Sequence, residues 1–213
     1  MLEDDMIKAA AEEEPLIQKK YEGEILCLEM PVKVEFNHVC FKKCRFVSCD
    51  FSGSMFYNVK FLNCDFSNCR FQSCYLKETE IWGCKGDGGD FSQSTFRTTM
   101  VEEGCYHYAN YEGTLWDGCR LKGVDFSEAF FAEVKFKKIR FEKVNLSRVD
   151  FFKTQLEGID LSDSNIEGIM VSDTFRELRG LKIGPMQAMD LVRFLGAVSY
   201  THLQMQMDKK ILN

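Results

Sequence analysis

The chain has 213 residues, enough to bury a substantial core as one or two domains. Its net charge of −6 argues against the basic, phosphate-contacting surface of an ordinary DNA binder, and no apolar run is long enough to span a membrane. The acidic start MLEDDMIKAAAEEE lacks the basic-then-apolar order of a secretion signal, so a cytoplasmic location is expected and the ten cysteines are read as thiols.

In chain order, residues 1–31 follow no five-residue rule. EDDMIKAAAEEE is predicted as a short helix stopping before Pro15, and the stretch to Pro31 as a cover over the first coil. From Phe36 a pattern of fixed period begins. Stepping by five gives Phe41, Phe46, Phe51, Phe56, Phe61, Phe66, Phe71, Leu76 and Ile81, and continues in phase to Val171. Of these 28 positions, 27 are apolar or aromatic, and they hold 15 of the 19 phenylalanines. Two residues before each centre stands Cys, Val, Ile, Thr, Ser, Ala or Gly. A helix would need a period of 3.6 and a simple strand a period of 2. A fixed short period means a solenoid, whose units bury their apolar faces only by stacking. One large and one small inward residue per five suits a nearly square coil with one pentapeptide per side. Seven coils at the ~4.8 Å strand spacing make a rod roughly 34 Å long.

Gly86 is the one failed centre, within CKGDGGDF (84–91), and its glycines suggest a corner bulge or a contact point for a partner. After Val171 the pattern changes. LRGLKI (178–183) reads as a terminal strand, and Pro185 as the first turn of a helix to about Leu195. Met186, Met189, Leu191, Val192, Phe194 and Leu195 make that helix apolar around most of its girth; one side caps the rod and the rest is expected to contact a second copy. The expected organisation is an N-terminal cap (1–31), the repeat (32–175), a dimerising strand and helix (176–198) and a tail, 199–213, expected to be disordered.

Catalytic and metal chemistry find little support. Cys40, Cys44 and Cys49, and Cys64, Cys69 and Cys74, invite a zinc site. Seven of the ten cysteines occupy the small inward position, however, where buried small hydrophobes explain them. His38, His107 and His202 look isolated, and no phosphate-binding glycine motif appears. No catalytic residue, metal or cofactor is therefore expected.

Outward charges can be assigned to sides because the phase never slips. The sides beginning at Phe36 and Phe41, here sides one and two, are nearly neutral. Side three, beginning at Phe46, carries Asp65, Asp87, Asp125, Glu128 and Glu167 against Arg45, Lys85 and Arg148. Side four, beginning at Phe51, carries Asp50, Asp90, Glu112, Glu133, Asp150 and Asp173 against Arg70 and Lys153. Those 11 acids less 5 bases place −6 on two adjacent sides. Phe130, Phe152 and Met170 project from side four as candidate apolar contacts, while Tyr75, Trp82 and Leu115 lie elsewhere.

Blocks such as CDFSN (64–68), CRFQS (69–73) and VDFSE (124–128) resemble the pentapeptide-repeat family. The resemblance implies an all-β solenoid, a right-handed quadrilateral β-helix of about seven coils, here with a short C-terminal helix. CKGD (84–87), the uninterrupted later coils and LRGLKIGPMQAMDLVRFLG (178–196) are similar to the Gram-positive branch of the quinolone-resistance members. That similarity implies a non-enzymatic homodimer, with no direct nucleic-acid binding, that imitates DNA on a type II topoisomerase (DNA gyrase or topoisomerase IV). A scaffold for another cytosolic protein is the alternative. Partner contacts would then fall on Asp50, Asp65, Asp87, Asp90, Glu112, Asp125, Glu128, Glu133, Asp150 and Asp173.

Overall fold

The structure is a computed structural model and describes residues 1–28, 31 and 33–194. A parallel seven-stranded sheet forms side one, from Leu16–Ile17 through Glu35–Asn37 and on to Lys135–Lys137. A second seven-stranded sheet forms side two, from Lys20–Glu22 to Arg140–Glu142. Each strand pairs with the one twenty residues on, as in Phe36↔Phe56 and Phe41↔Phe61. Sides three and four are mostly ladders of single bridges, Arg45↔Asp65↔Lys85 and Asp50↔Arg70↔Asp90, separated by tight turns. The chain is thus a four-sided β-solenoid.

The large inward residues fill the axis in columns. Along side four, Phe51, Phe71, Phe91, Tyr111 and Phe131 stack with centroids 4.7–5.0 Å apart. Neighbouring columns meet edge to face, as in Phe41–Phe46 at 5.5 Å and 78°, the arrangement that ring quadrupoles favour. The small position has a second task that its size does not reveal. The Sγ of Cys64 and Cys84 donates to the Phe41 and Phe61 carbonyls of the coil before, each at 3.4 Å. Ser94 and Thr154 do the same to Phe71 and Phe131 at 2.6 Å. Cys, Ser and Thr recur there because they are small and carry a donor for a buried carbonyl. Burial pushes the Cys74 thiol up to about 12 and Cys119 to about 11, so these thiols stay protonated and unreactive. All ten cysteines are free.

The residue two after nearly every centre turns the corner in the left-handed region, for example Asn58, Asn63 and Asn68 at φ 53–58°. Asparagine tolerates that conformation better than most residues do.

Four sequence expectations need correction. The five-residue phase reaches back beyond Phe36, because Leu16, Tyr21 and Leu26 pair with Phe36, Phe41 and Phe46. Only the small position lapses there, and its residues serve the N-terminal helix α1 (Leu2–Glu12) instead. Lys19 pairs with Asp5 at 3.2 Å, and Glu24 accepts the Leu2 N–H at 2.6 Å. Gly86 makes no bulge, since Asp65↔Lys85↔Cys105 bridges pass it in register. LRGLKI is not a strand: a 3-10 turn at Arg176–Leu178 leads to one bridge, Asp160↔Lys182. Nor is His107 isolated, as its surroundings on side three show below. Helix α2 spans Pro185–Phe194 as expected, while Leu195 and the tail 199–213 lie outside the described residues.

Glu177 fastens the C-terminal cap. It is 3% exposed, and its carboxylate accepts the Lys153 N–H and the Ser172 hydroxyl, each at 2.9 Å. Burial works against its charge, yet its own N–H, Ser172 and Lys153 hold the carboxyl below the usual glutamate range. A carboxyl held low in the folded state adds stability that is present above the unfolded value and is lost as pH falls through the folded one. Glu177→Ala should therefore cost about 1–3 kcal/mol in urea unfolding at neutral pH. The gap to wild type should close in acid; equal midpoints at neutral pH would refute this role.

Candidate functional site

Sides three and four share a local device that accounts for much of their acidity. The residue before each centre is often Asp or Asn, and its Oδ1 accepts the N–H two residues on. Asp50 holds Ser52 at 2.9 Å, Asp65 holds Ser67 at 3.1 Å and Asp90 holds Ser92 at 3.0 Å. Asp125 holds Ser127 at 2.9 Å and Asp150 holds Phe152 at 2.8 Å. The tight turns of these two sides leave that N–H to be satisfied locally, which is the Asx-turn role of Asp and Asn. Asn110, Asn145 and Asn165 fill the same place at 3.0–3.1 Å without charge. Five carboxylates therefore take rungs of two straight ladders, Asp65 and Asp125 on side three and Asp50, Asp90 and Asp150 on side four, with basic, neutral and apolar rungs between them.

Cross-coil pairing trims the charge. Glu128 pairs with Arg148 at 2.6 Å, Glu133 with Lys153 at 2.7 Å and Asp50 with Arg70 at 3.6 Å. The His107 ring bridges two coils, with Nδ1 3.3 Å from Asp87 and Nε2 3.3 Å from Asp125. Its five-residue spacing hides this contact, because Asp87 sits a full coil away. Burial opposes ionisation of Asp50 and Asp125. The Ser52 and Ser127 N–H groups, helped by Arg70 beside one and by Asn145 and His107 beside the other, still hold both below the usual range. Asp65, Asp90, Glu112, Asp150 and Asp173 make no ion pair among the described residues, and Glu112 and Asp173 are exposed.

The apolar trio comes together around one of these acids. Phe130, Asp150 and Met170 are successive rungs of the side-four ladder, and Phe152 follows Asp150 by two residues. Phe130, Phe152 and Met170 are 46%, 43% and 49% exposed. Lys153 lies over the Phe152 ring at 5.1 Å. On α2, Met186, Met189 and Val192 face outward, whereas Leu191 packs toward the rod's core. Among the described residues no group of three His, Cys, Asp or Glu side chains could hold a metal ion, and no helix is long and apolar enough to cross a membrane.

Comparison with known proteins agrees with this architecture. Residues 54–131 match the family model described as pentapeptide repeat region, and residues 35–72 and 131–168 match the one described as pentapeptide repeats (8 copies). The chain belongs to the pentapeptide-repeat family. Among solved structures, this pentapeptide-repeat protein is similar to two trypsin-treated variants of QnrB1, described as a plasmid-mediated fluoroquinolone resistance protein. They are 19% and 20% identical, cover 87% of this chain and 97% and 98% of theirs, and give TM-scores of 0.46 and 0.48. HetL from the cyanobacterium Nostoc sp., described as involved in heterocyst differentiation regulation, is 12% identical over 85% of this chain and 93% of its own, with a TM-score of 0.27. The search of curated proteins finds no match. These matches do not single out the Gram-positive branch suggested by CKGD and the closing run.

Proposed function

We propose that this pentapeptide-repeat protein is a non-enzymatic, cytoplasmic imitator of duplex DNA that binds a type II topoisomerase, DNA gyrase or topoisomerase IV, and protects it from quinolones. The observation that carries this reading is the excess of acid on the two adjacent sides three and four, where turn hydrogen bonds fix Asp50, Asp65, Asp90, Asp125 and Asp150 on two straight ladders. Duplex DNA presents about one charge per 1.7 Å, so a ~34 Å rod would need roughly 20 to match it. The two sides offer a net 6. Shape therefore contributes more to the imitation than charge, and the apolar trio around Asp150 adds contact area beside the ladders. The test is gyrase supercoiling in the presence of ciprofloxacin. Purified protein should restore supercoiling, and no relief at any concentration would sink the proposal. The sparse charge also keeps a second reading open, a scaffold for another cytosolic protein that uses the same trio.

A homodimer through α2 belongs to the same proposal. Met186, Met189 and Val192 supply its exposed face, and Leu191 supports the helix from beneath. Met186→Glu plus Met189→Glu should give monomers by light scattering with the fold intact by circular dichroism. A dimer that persists in this variant would place the contact elsewhere.

A further inference from the structure

The two long sheets stop before the rod does. Lys135–Lys137 closes one and Arg140–Glu142 the other, while sides three and four continue through Asn145↔Asn165 and Asp150↔Met170. On sides one and two the next coil adopts turn geometry, and the Leu156 and Leu161 N–H groups donate onward to the Glu177 and Lys182 carbonyls. No backbone hydrogen bond joins Lys135–Lys143 to Gln155–Asp163. In the coils before, Thr98 N–H donates to Asp117 and Gly118 N–H to Lys137, while Glu103 N–H donates to Lys122 and Gly123 N–H to Glu142. Lys138 and Lys143 come next in those two series, and neither N–H has a backbone acceptor among the described residues. The Val134 and Ile139 carbonyls are likewise next in line to accept, and no backbone donor reaches them.

The core shows the same opening. Every inward position from Val34 to Ile169 is buried except Phe136 and Ile139, which are half-buried. Beside Phe136 lies a groove of about 700 Å³ bordered by Lys135, Lys137, Gln155 and the paired Glu133 and Lys153. Beside Ile139 lies a smaller one of about 330 Å³ bordered by Arg140, Gly158, Asp160 and Asp163, so the basic groove is the one beside Phe136. The rim is strongly basic. KFKKIRFEK (135–143) holds Lys135, Lys137, Lys138, Arg140 and Lys143, and its one acid, Glu142, is already paired with Arg120 at 2.7 Å. Lys135–Lys137 lies on side one, next to side four, whose Glu133–Lys153 pair borders the larger groove; Arg140–Lys143 lies on side two.

We infer that this open edge binds an extended acidic segment of a partner protein, laid against Lys135–Lys137 as an added strand. An unpaired strand edge offers the backbone groups for such an addition, and alternate side chains set its specificity. An apolar residue opposite Phe136 covers the half-buried ring. Acidic residues opposite Lys135 and Lys137 repeat the cross-coil pairs the rod already makes, Lys60–Glu80 at 2.7 Å and Lys42–Glu22 at 2.8 Å. The recognised pattern is therefore acid, apolar, acid in extended conformation. The strand being extended is on side one, and its recognition uses the unpaired backbone and Lys135 and Lys137, so it does not depend on a topoisomerase being the partner of sides three and four.

The probe is a fluorescein-labelled peptide of alternating Glu and Val, titrated with the full chain and followed by fluorescence anisotropy. Saturable binding is expected. It should weaken at least tenfold with Lys135→Glu plus Lys137→Glu, two exposed changes whose effect on the fold is checked by circular dichroism. A copy of the peptide N-methylated at alternate residues should also lose binding, and the unmodified peptide should slow hydrogen exchange at the Lys138 amide. No binding at millimolar peptide would overturn the inference. So would equal binding of the N-methylated copy, which would mean charge attraction without strand pairing, or tighter binding of duplex DNA to the same lysines.

Discussion

Gly86→Phe, which restores the large residue its place in the repeat calls for, is expected to destabilise the rod. A Cβ at Gly86 would lie 2.6 Å from the Tyr106 ring and 2.8 Å from the Phe66 ring. Those two rings, 6.1 Å apart across the intervening coil, already fill the space a side chain would occupy. The cost should reach or exceed the ~1–3 kcal/mol typical of overpacked cores, read as a lower urea midpoint. Gly86→Ala should fall between wild type and Gly86→Phe. Coupling is the sharper test: Gly86→Phe combined with Tyr106→Ala should recover part of the loss, because the second change vacates the contested volume. Strictly additive losses, or an unchanged midpoint for Gly86→Phe, would show that the rings do not compete with residue 86. Tyr106→Phe should be neutral or mildly stabilising, since the Tyr106 hydroxyl is buried with no hydrogen-bond partner among the described residues.

Removing charge without removing turns should separate electrostatic from structural work on the acidic sides. The variant Asp90→Asn, Glu112→Gln and Asp150→Asn deletes three acids that make no ion pair among the described residues. Asparagine keeps the acceptor that Ser92 and Phe152 need, as Asn110 and Asn145 already do on these ladders. The melting temperature should therefore stay within a degree or two. The concentration needed for half-protection of gyrase should rise on the order of tenfold, with a shallower salt dependence, if the ladders steer the encounter. Unchanged protection in a folded variant would remove the acidic sides from the mechanism. Lysine at 90 or 150 is a poorer test, because it has no acceptor and would break the turn as well as reverse the charge.

The chain's own residues determine the solenoid, its four sides and the assignment of each charge to a side. A period of five with one large and one small inward residue requires a stacked solenoid, the resemblance to pentapeptide repeats implies its four sides, and a single-residue slip would turn every Phe outward. Tertiary structure decides what depends on residues a full coil apart. His107 meets Asp87 and Asp125 only because one coil brings positions about twenty apart together. Gly86 is filled rather than bulged because Phe66 and Tyr106 close over it from either side. The N-terminal coil stays in phase although Lys19 and Glu24 break the small-residue rule, because α1 supplies partners for both. The open edge at Lys135–Lys143 left only a basic run in the sequence. Its unpaired backbone arises where one coil in strand geometry meets another in turn geometry, and five-residue spacing, identical in both, carries no sign of the change.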